Sequence, residues 1–363
     1  MRFAVKELLY GKKKYILIEL LLILLMFMVL FLSGLSEGLG RAVTSGIENR
    51  EADYYLVSDS SEKLITVSEL PYETLDKVKK QTNSEVAPLD IQRMYLQKQG
   101  EETKINVTYF AIDPDSFLMP NIIEGNNLTN SNTEYPIVLN DDFKAEGITV
   151  GDTVKDSYTE IVFKVVGFTK DEMYGHVSVG FITTDSYTKL RNELNPYYEK
   201  HFHAIAIKGN AENIDIDGTL LVSKQEIIES VPSYSAEHLT ITMIVYVLVV
   251  VSAVVIGIFY YILTIQKHRQ FGVMKAIGFD MKKLSGIVIC QVLILSVFSA
   301  VVANILTFGM SVALPQTMPF YLLPVNACAV SVAFVLISVI SSLLSVINIS
   351  RIDPIQIIGG NDE

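Results

Sequence analysis

Four stretches of this chain carry almost no charge, and each is long enough to cross a bilayer as a helix. They lie at 15–35, 240–265, 284–314 and 326–349 of the 363 residues. A hydrocarbon core of about 30 Å takes about 20 apolar residues in helical form. Inside it a backbone must satisfy its own hydrogen bonds, so these stretches are expected to be helical. The first, YILIELLLILLMFMVLFLSGL, carries one charge, Glu19. That side chain is expected to snorkel or to find a partner at the cytoplasmic edge. A signal peptide also starts with positive charge, but its apolar core is shorter and a small-residue cleavage site follows. The run is therefore read as a retained anchor.

Between the first and second runs lies a block of different chemistry. Residues 36–237 hold 34 Asp and Glu against 18 Lys and Arg, and the rest of the chain holds 6 against 11. An acidic block is thus set in a basic membrane protein. No basic patch of the size of a nucleic-acid groove appears in it, so a nucleic-acid partner is not expected. Both cysteines, Cys290 and Cys328, lie in apolar runs, which leaves no disulfide framework and no CxxC metal site.

Basic residues in short flanks set the orientation. Arg2, Lys6, Lys12, Lys13 and Lys14 precede the first run, and Lys267, Arg269, Lys275, Lys282 and Lys283 lie between the second and third. The connection PQTMPFYLLPV, at 315–325, has none. Both termini, with the tail at 350–363, and the 266–283 loop are expected in the cytoplasm, with 36–237 outside the cell membrane. Residues 1–14 read as an amphipathic interfacial helix, with Phe3, Val5, Leu8 and Leu9 against Lys6 and Lys12.

In the outer block, YYLVS, TYFAI, YPIVLN, IVFKVVGF, VGFITT and HAIAIKG read as strands. SELPYETLDKVKKQ and SYTKLRNEL read as helices. The expected fold is an integral membrane α-helical protein of four spans, with a large extracytoplasmic α+β domain inserted between the first and second. Neither GxxxxGK[ST] nor HExxH is present. His201 and His203 in HFH share one face of a strand, yet no third ligand stands nearby and a surface pair is the plainer reading. No catalytic residues, resident cofactor or metal are expected.

The loop QKHRQFGVMKAIGF poses the functional question. Phe271, Met274, Ile277 and Phe279 form an apolar side, and Lys267, Arg269 and Lys275 a charged one. An ordinary cytoplasmic loop needs the charges but not the apolar pattern; a helix inserting into a partner's groove needs both. This stretch, with Gly272, Lys275, Ala276, Ile277 and Gly278, resembles the loop after the second helix of the MacB/FtsX-like ABC transporter permeases. ITVGDTVKDSYTEIVFKVVGF resembles their external domain, and SRIDPIQIIGG their closing segment. The resemblance implies a permease that is not itself an enzyme. A separate cytoplasmic ATPase binds ATP and magnesium, and two permeases work with two ATPases. Lys267, Arg269, Phe271, Gly272, Met274, Lys275, Ile277 and Gly278 are then the candidates for coupling.

SGLSEGLGR, MYGH, SYSAE, FYYILTIQK, LPQTMPFYL and DPIQIIGG, in that order, resemble the haem-exporting branch of the family in Gram-positive bacteria. Haem as transported substrate would need an apolar slot at outer-leaflet depth, ligands for iron and cations for its propionates. The candidates just outside the first two spans are Glu37, Arg41, Glu48, Tyr234, Glu237 and Met243, with Tyr174 from the domain. The resemblance supports Glu48, Tyr174 and Tyr234; Glu48 is expected as ligand from each protomer, with Arg41 near a propionate and Tyr174 and Tyr234 in capture or release. Other implied readings are export of a peptide, lipid or lipoprotein, and an FtsX-like mechanical subunit that activates a cell-wall hydrolase.

Overall fold

The computed structural model describes residues 6–8, 10–130, 135–159, 161–211, 214–267, 270, 272–274, 280–314 and 318–350. Of the expected features, Arg269, Phe271, Lys275, Ile277, Gly278, the start of the interfacial helix and the tail beyond 350 lie outside the described residues. The chain divides into two compact units, one of Met1–Gly38 with Leu239–Glu363 and the other of Leu39–His238. The first long helix, α1, runs from Lys12 to Glu48 and so belongs to both.

The unit Leu39–His238 is an α+β domain. Its strands are β1 (Tyr54–Ser58), β2 (Leu70–Pro71), β3 (Glu85–Lys98), β4 (Ile105–Ile112), β5 (Ile122–Gly125), β6 (Tyr135–Asn140) and β7 (Thr153–Asp156). There follow β8 (Val162–Thr169), β9 (Met173–Tyr174), β10 (Val177–Thr183), β11 (His201–Phe202), β12 (Ala204–Lys208) and β13 (Thr219–Ser223). Helices α2 (Thr74–Gln81), α3 (Thr184–Leu194) and α4 (Lys224–Ser230) are short. The main sheet runs β13-β1-β12-β3-β4-β10-β6-β8-β5, with β7 joined to β3 and β8. The pairs β4/β10 and β6/β8 are parallel and the others antiparallel.

The sheet is covered on both faces, which explains strands that read as apolar runs rather than alternations. Val107, Tyr109 and Ala111 of β4 enter one core with Phe163 and Val165. Phe110 and Ile112 enter the other, where they meet Phe181 and, from the end of α1, Val43 and Ile47. Local signals place the helices: Thr183 accepts from the Ser186 N–H at the start of α3, and Ser223 with Glu226 closes a capping box on α4.

Two elements go beyond the sequence reading. β3 passes through Pro88, a residue that argues against a central strand. Pro88 pairs with Ile205 of β12 on one side, while the pairing to β4 begins at Leu89, so its missing N–H costs the ladder nothing. α1 continues 13 residues past the 15–35 run, to Glu48. The glycines of SGLSEGLG are not a helix stop but points of close approach. A Cβ on Gly38 would lie 2.3 Å from the Pro319 carbonyl oxygen, and one on Gly34 2.5 Å from the Phe320 ring.

In the other unit, α1 is joined by α5 (Tyr234–Gln266), α6 (Met281–Ala313) and α7 (Pro324–Ser350). All four contain segments long and apolar enough to cross a membrane. From α1, Tyr15, Ile18, Leu22, Met26 and Leu30 face the other helices at three- and four-residue spacing, while Ile16, Leu17, Leu20 and Leu24 face outward. Asn304 Nδ2 donates to Ser331 Oγ at 2.8 Å between α6 and α7. Glu19 takes a partner: Ser299 Oγ donates to its Oε1 at 2.6 Å. Lys267, which the sequence places on the charged side of the loop, has a side chain 8% exposed and ion-paired to Glu7. Gly272 is buried and Met274 half-buried, both helical.

Candidate functional site

Among the sequence candidates of the outer unit, Tyr234 and Glu237 lie beside the end of α1 and the MYGH turn, and Arg41 and Glu48 pair with each other along that helix. The organising element is the turn between β9 and β10. Tyr174 pairs with Val177, so Gly175 and His176 form a two-residue loop, and both have positive φ, 57° and 61°. That is the type I′ geometry, which matches strand twist and demands left-handed residues. The turn is laid against α1. Gly175 N–H donates to the Val43 carbonyl at 2.9 Å and His176 N–H to the Ala42 carbonyl at 3.0 Å. Met173 N–H donates to Ser45 Oγ at 2.9 Å. Gly46 permits this approach, since a Cβ there would stand 3.1 Å from the Met173 carbonyl oxygen.

The turn aims His176 at α5. Its Nε2 lies 3.2 Å from Glu237 Oε1. One turn along the same helix face, the His238 ring stacks on Tyr234 with centroids 5.3 Å apart and planes at 10°. A Cβ on Gly40 would touch Tyr234 at 3.4 Å. The motifs MYGH, SYSAE and the glycine-rich end of α1 are therefore one place in the fold.

Arg41 and Glu48 share a face of α1, two turns apart, and form an ion pair at 3.2 Å. Thr44, between them, donates to Glu48 Oε1. Both carboxylate oxygens of Glu48 are thus engaged, and its side chain is 25% exposed. Arg41 also donates to Asn49 Oδ1 at 3.2 Å, and Asn49 Nδ2 to the Asp171 carbonyl at 2.8 Å. Behind them runs a polar cleft of about 260 Å³, lined by Arg41, Asn49, Lys170 and the buried pair Arg50–Glu172. Arg50 also donates to the Leu118 carbonyl at 2.6 Å and lies over the Phe181 ring.

The structure separates the remaining candidates from this group. Tyr174 is 8% exposed and packs edge-on to Phe110 in the domain core. Burial pushes its phenol up, which keeps it protonated. Ile47, next to Glu48, packs in that core. Glu37, half-buried, and Met243, 61% exposed, belong to the membrane unit. Sequence reasoning missed the His176–Glu237 contact and the Arg50–Glu172 pair. For the first, the signal was the two-residue turn YGHV; for the second, residues 122 apart left none. Among the described residues, no cluster of three or more His, Cys, Asp or Glu is arranged to hold a metal ion.

Two family models match the chain. Residues 16–215 match the model of the MacB-like periplasmic core domain, and residues 242–354 that of the FtsX-like permease C-terminal. Two relatives, from Staphylococcus haemolyticus and Staphylococcus epidermidis, are provisionally named hemin transport system permease protein HrtB. They are 28% and 29% identical to this chain, over 99% of each chain. Among solved structures, the extracellular domain of the ABC-type transporter YknZ from Gram-positive bacteria covers 44% of this chain and 83% of its own, at 11% identity and a TM-score of 0.32. With a membrane unit of four apolar helices and an α+β domain inserted after the first, the chain belongs to the MacB/FtsX-like family of ABC transporter permeases.

Proposed function

We propose that this protein is the permease subunit of an ABC exporter that extrudes haem from the membrane and so confers resistance to haem toxicity. A separate cytoplasmic ATPase binds ATP and magnesium. Two permeases and two ATPases form the working complex. The termini and the 267–283 loop lie in the cytoplasm, and the Leu39–His238 unit lies outside, as the Lys and Arg distribution favours. The similarity over 99% of the chain to proteins named for hemin transport supports the cargo.

One observation carries the site: the Arg41–Glu48 pair at 3.2 Å. A buried or half-buried ion pair resists opening because each charge loses its partner. Haem can replace both partners at once. Its ferric iron accepts the Glu48 carboxylate and its propionate accepts the Arg41 guanidinium. Tyr234, beside Gly40 of α1, would meet the macrocycle in place of its stack on His238. Glu237, on α5 with Tyr234, is a further contact, while Glu37 and Met243 belong to the membrane unit. Tyr174 acts from within the core, by holding the turn that carries His176.

A haemin titration of the detergent-purified permease, read by Soret absorption, tests this. The wild type is expected to show a saturable shift with about one haem per dimer. Glu48→Ala should weaken binding at least tenfold and Arg41→Gln several-fold, whereas Tyr174→Phe should change it little. A shift equal to that of empty micelles in all four proteins would leave a permease for another amphiphilic cargo.

A further inference from the structure

Lys267 is the first residue of the basic loop, at the end of α5. A lysine at a helix end in this setting ordinarily extends its ammonium into water. Here it is turned inward instead, with 8% of the side chain exposed. Nζ donates to Glu7 Oε1 at 2.7 Å and to Gln291 Oε1 at 2.5 Å. Gln291 Nε2 in turn donates to Glu7 Oε2 at 2.8 Å. The Tyr15 ring covers the ammonium from 5.6 Å. The three polar groups come from three elements: the segment before α1, the end of α5, and α6. Their bonds close a ring.

Such a ring is a poor source of net stability, because burying an ammonium and a carboxylate costs about what their pairing returns. It is a good source of geometry, since parting Glu7 from Lys267 leaves a buried ammonium unpaired and moving α6 removes the amide that bonds both. We propose that Glu7, Lys267 and Gln291 are positioning residues that clasp the N-terminal segment and α6 to the end of α5. A push received by the 267–283 loop then moves three elements as one. This rests on the reading of that loop as the ATPase contact, and it is independent of the cargo.

The amide of Gln291 makes the idea testable. In the double variant Glu7→Lys/Lys267→Glu the amide turns over. Its oxygen then accepts from the new ammonium and its nitrogen donates to the new carboxylate, so the ring closes again. The assay is permease-dependent ATP hydrolysis by the reconstituted complex of permease and ATPase, with the amount of ATPase retained by the permease measured beside it. Glu7→Gln and Lys267→Met are expected to retain ATPase at wild-type levels while permease-dependent hydrolysis falls at least fivefold. The swap is expected to recover at least half. Where a single variant fails to reach the membrane, the swap, which keeps every charge, decides. A swap no more active than Lys267→Met, or single variants as active as wild type, would overturn the clasp. Loss of ATPase retention in both Lys267 variants would return Lys267 to the ATPase contact and overturn it as well. A wild-type permease that retains no ATPase would instead remove the permease reading, and this inference with it.

Discussion

His203 is tied into the fold by two hydrogen bonds, one at its ring and one at its backbone. Its Nδ1 accepts from the Ile91 N–H at 3.1 Å, and its backbone N–H donates to Asp90 Oδ1 at 2.9 Å. The HFH motif, which suggests a pair of metal ligands, is thus a strand junction whose second histidine serves the core. The sequence shows the two rings on one face but not that Asp90, 113 residues away, waits there. Burial pushes the Asp90 carboxyl up to about 7 and the His203 imidazole down to about 3. In the unfolded chain these groups titrate near 3.8 and 6.5. The stability that Asp90 contributes is complete below the lower of its two values and is lost as pH rises toward 7. The contribution of His203 is complete above 6.5 and is lost as pH falls toward 3. Between pH 4.5 and 6.5 the two slopes oppose and nearly cancel. Asp90→Asn removes one of them. Relative to the wild type, its stability is expected to fall on acidification by up to ~1.4 kcal/mol per pH unit. Chemical unfolding of both proteins at pH 6.5 and 4.5 reads the difference, and two parallel profiles would mean that Asp90 is ionised in the fold.

Two glycines serve their elements in different ways, one by its backbone conformation and one by the space it leaves. Gly175 holds φ of +57° with no atom within 4 Å of a built Cβ, so a side chain there meets strain but no clash. Gly175→Val should cost about 1–2 kcal/mol, because a β-branched residue is least suited to the left-handed region. Gly175→Asn should cost much less, since asparagine visits that region readily. Melting temperatures of the two variants separate this from a packing role, in which both would lose stability alike. Gly38 is the opposite case. Its Cβ would overlap the Pro319 backbone, so Gly38→Ala should destabilise the membrane unit by more than the helix-propensity gain of about 1 kcal/mol returns. Thermal unfolding in detergent measures the sign. Strands such as Tyr135–Asn140 were legible because they are short apolar runs between turns. The length of β3 and the passage of α1 through its glycines were not, since each depends on what lies opposite: no β4 partner beside Pro88, and the Pro319–Phe320 backbone beside Gly38.

At the scale of the whole molecule, four apolar runs announce the spans, but hydrophobicity all round conceals which face of each is inward. Tyr15, Ile18 and Leu22 pack inside while Ile16, Leu17 and Leu20 look out, and in the sequence all six are alike. In the proposed exporter, a push received by the 267–283 loop would travel along α5, a helix of 33 residues from Tyr234 to Gln266 with no proline in it. Its first five residues belong to the outer unit and carry Tyr234 and Glu237; the rest belong to the membrane unit and end at the clasp around Lys267. A rod transmits displacement only while its backbone hydrogen bonds are unbroken. Tyr260, 1% exposed, is placed between these ends, and its carbonyl already accepts from Thr264 Oγ1 at 2.6 Å. Tyr260→Pro removes one helical N–H and drives its ring against the carbonyl four residues back, a change of about 3 kcal/mol that kinks the rod. The complex is expected to bind ATP as before while export falls to background, and Tyr260→Phe, which keeps the ring and the helix, should retain both. ATP-analogue binding and haemin efflux from proteoliposomes measure the two halves separately. Export that survives the proline would mean that α5 does not carry the stroke, and the outer unit would have to be moved through α1 instead.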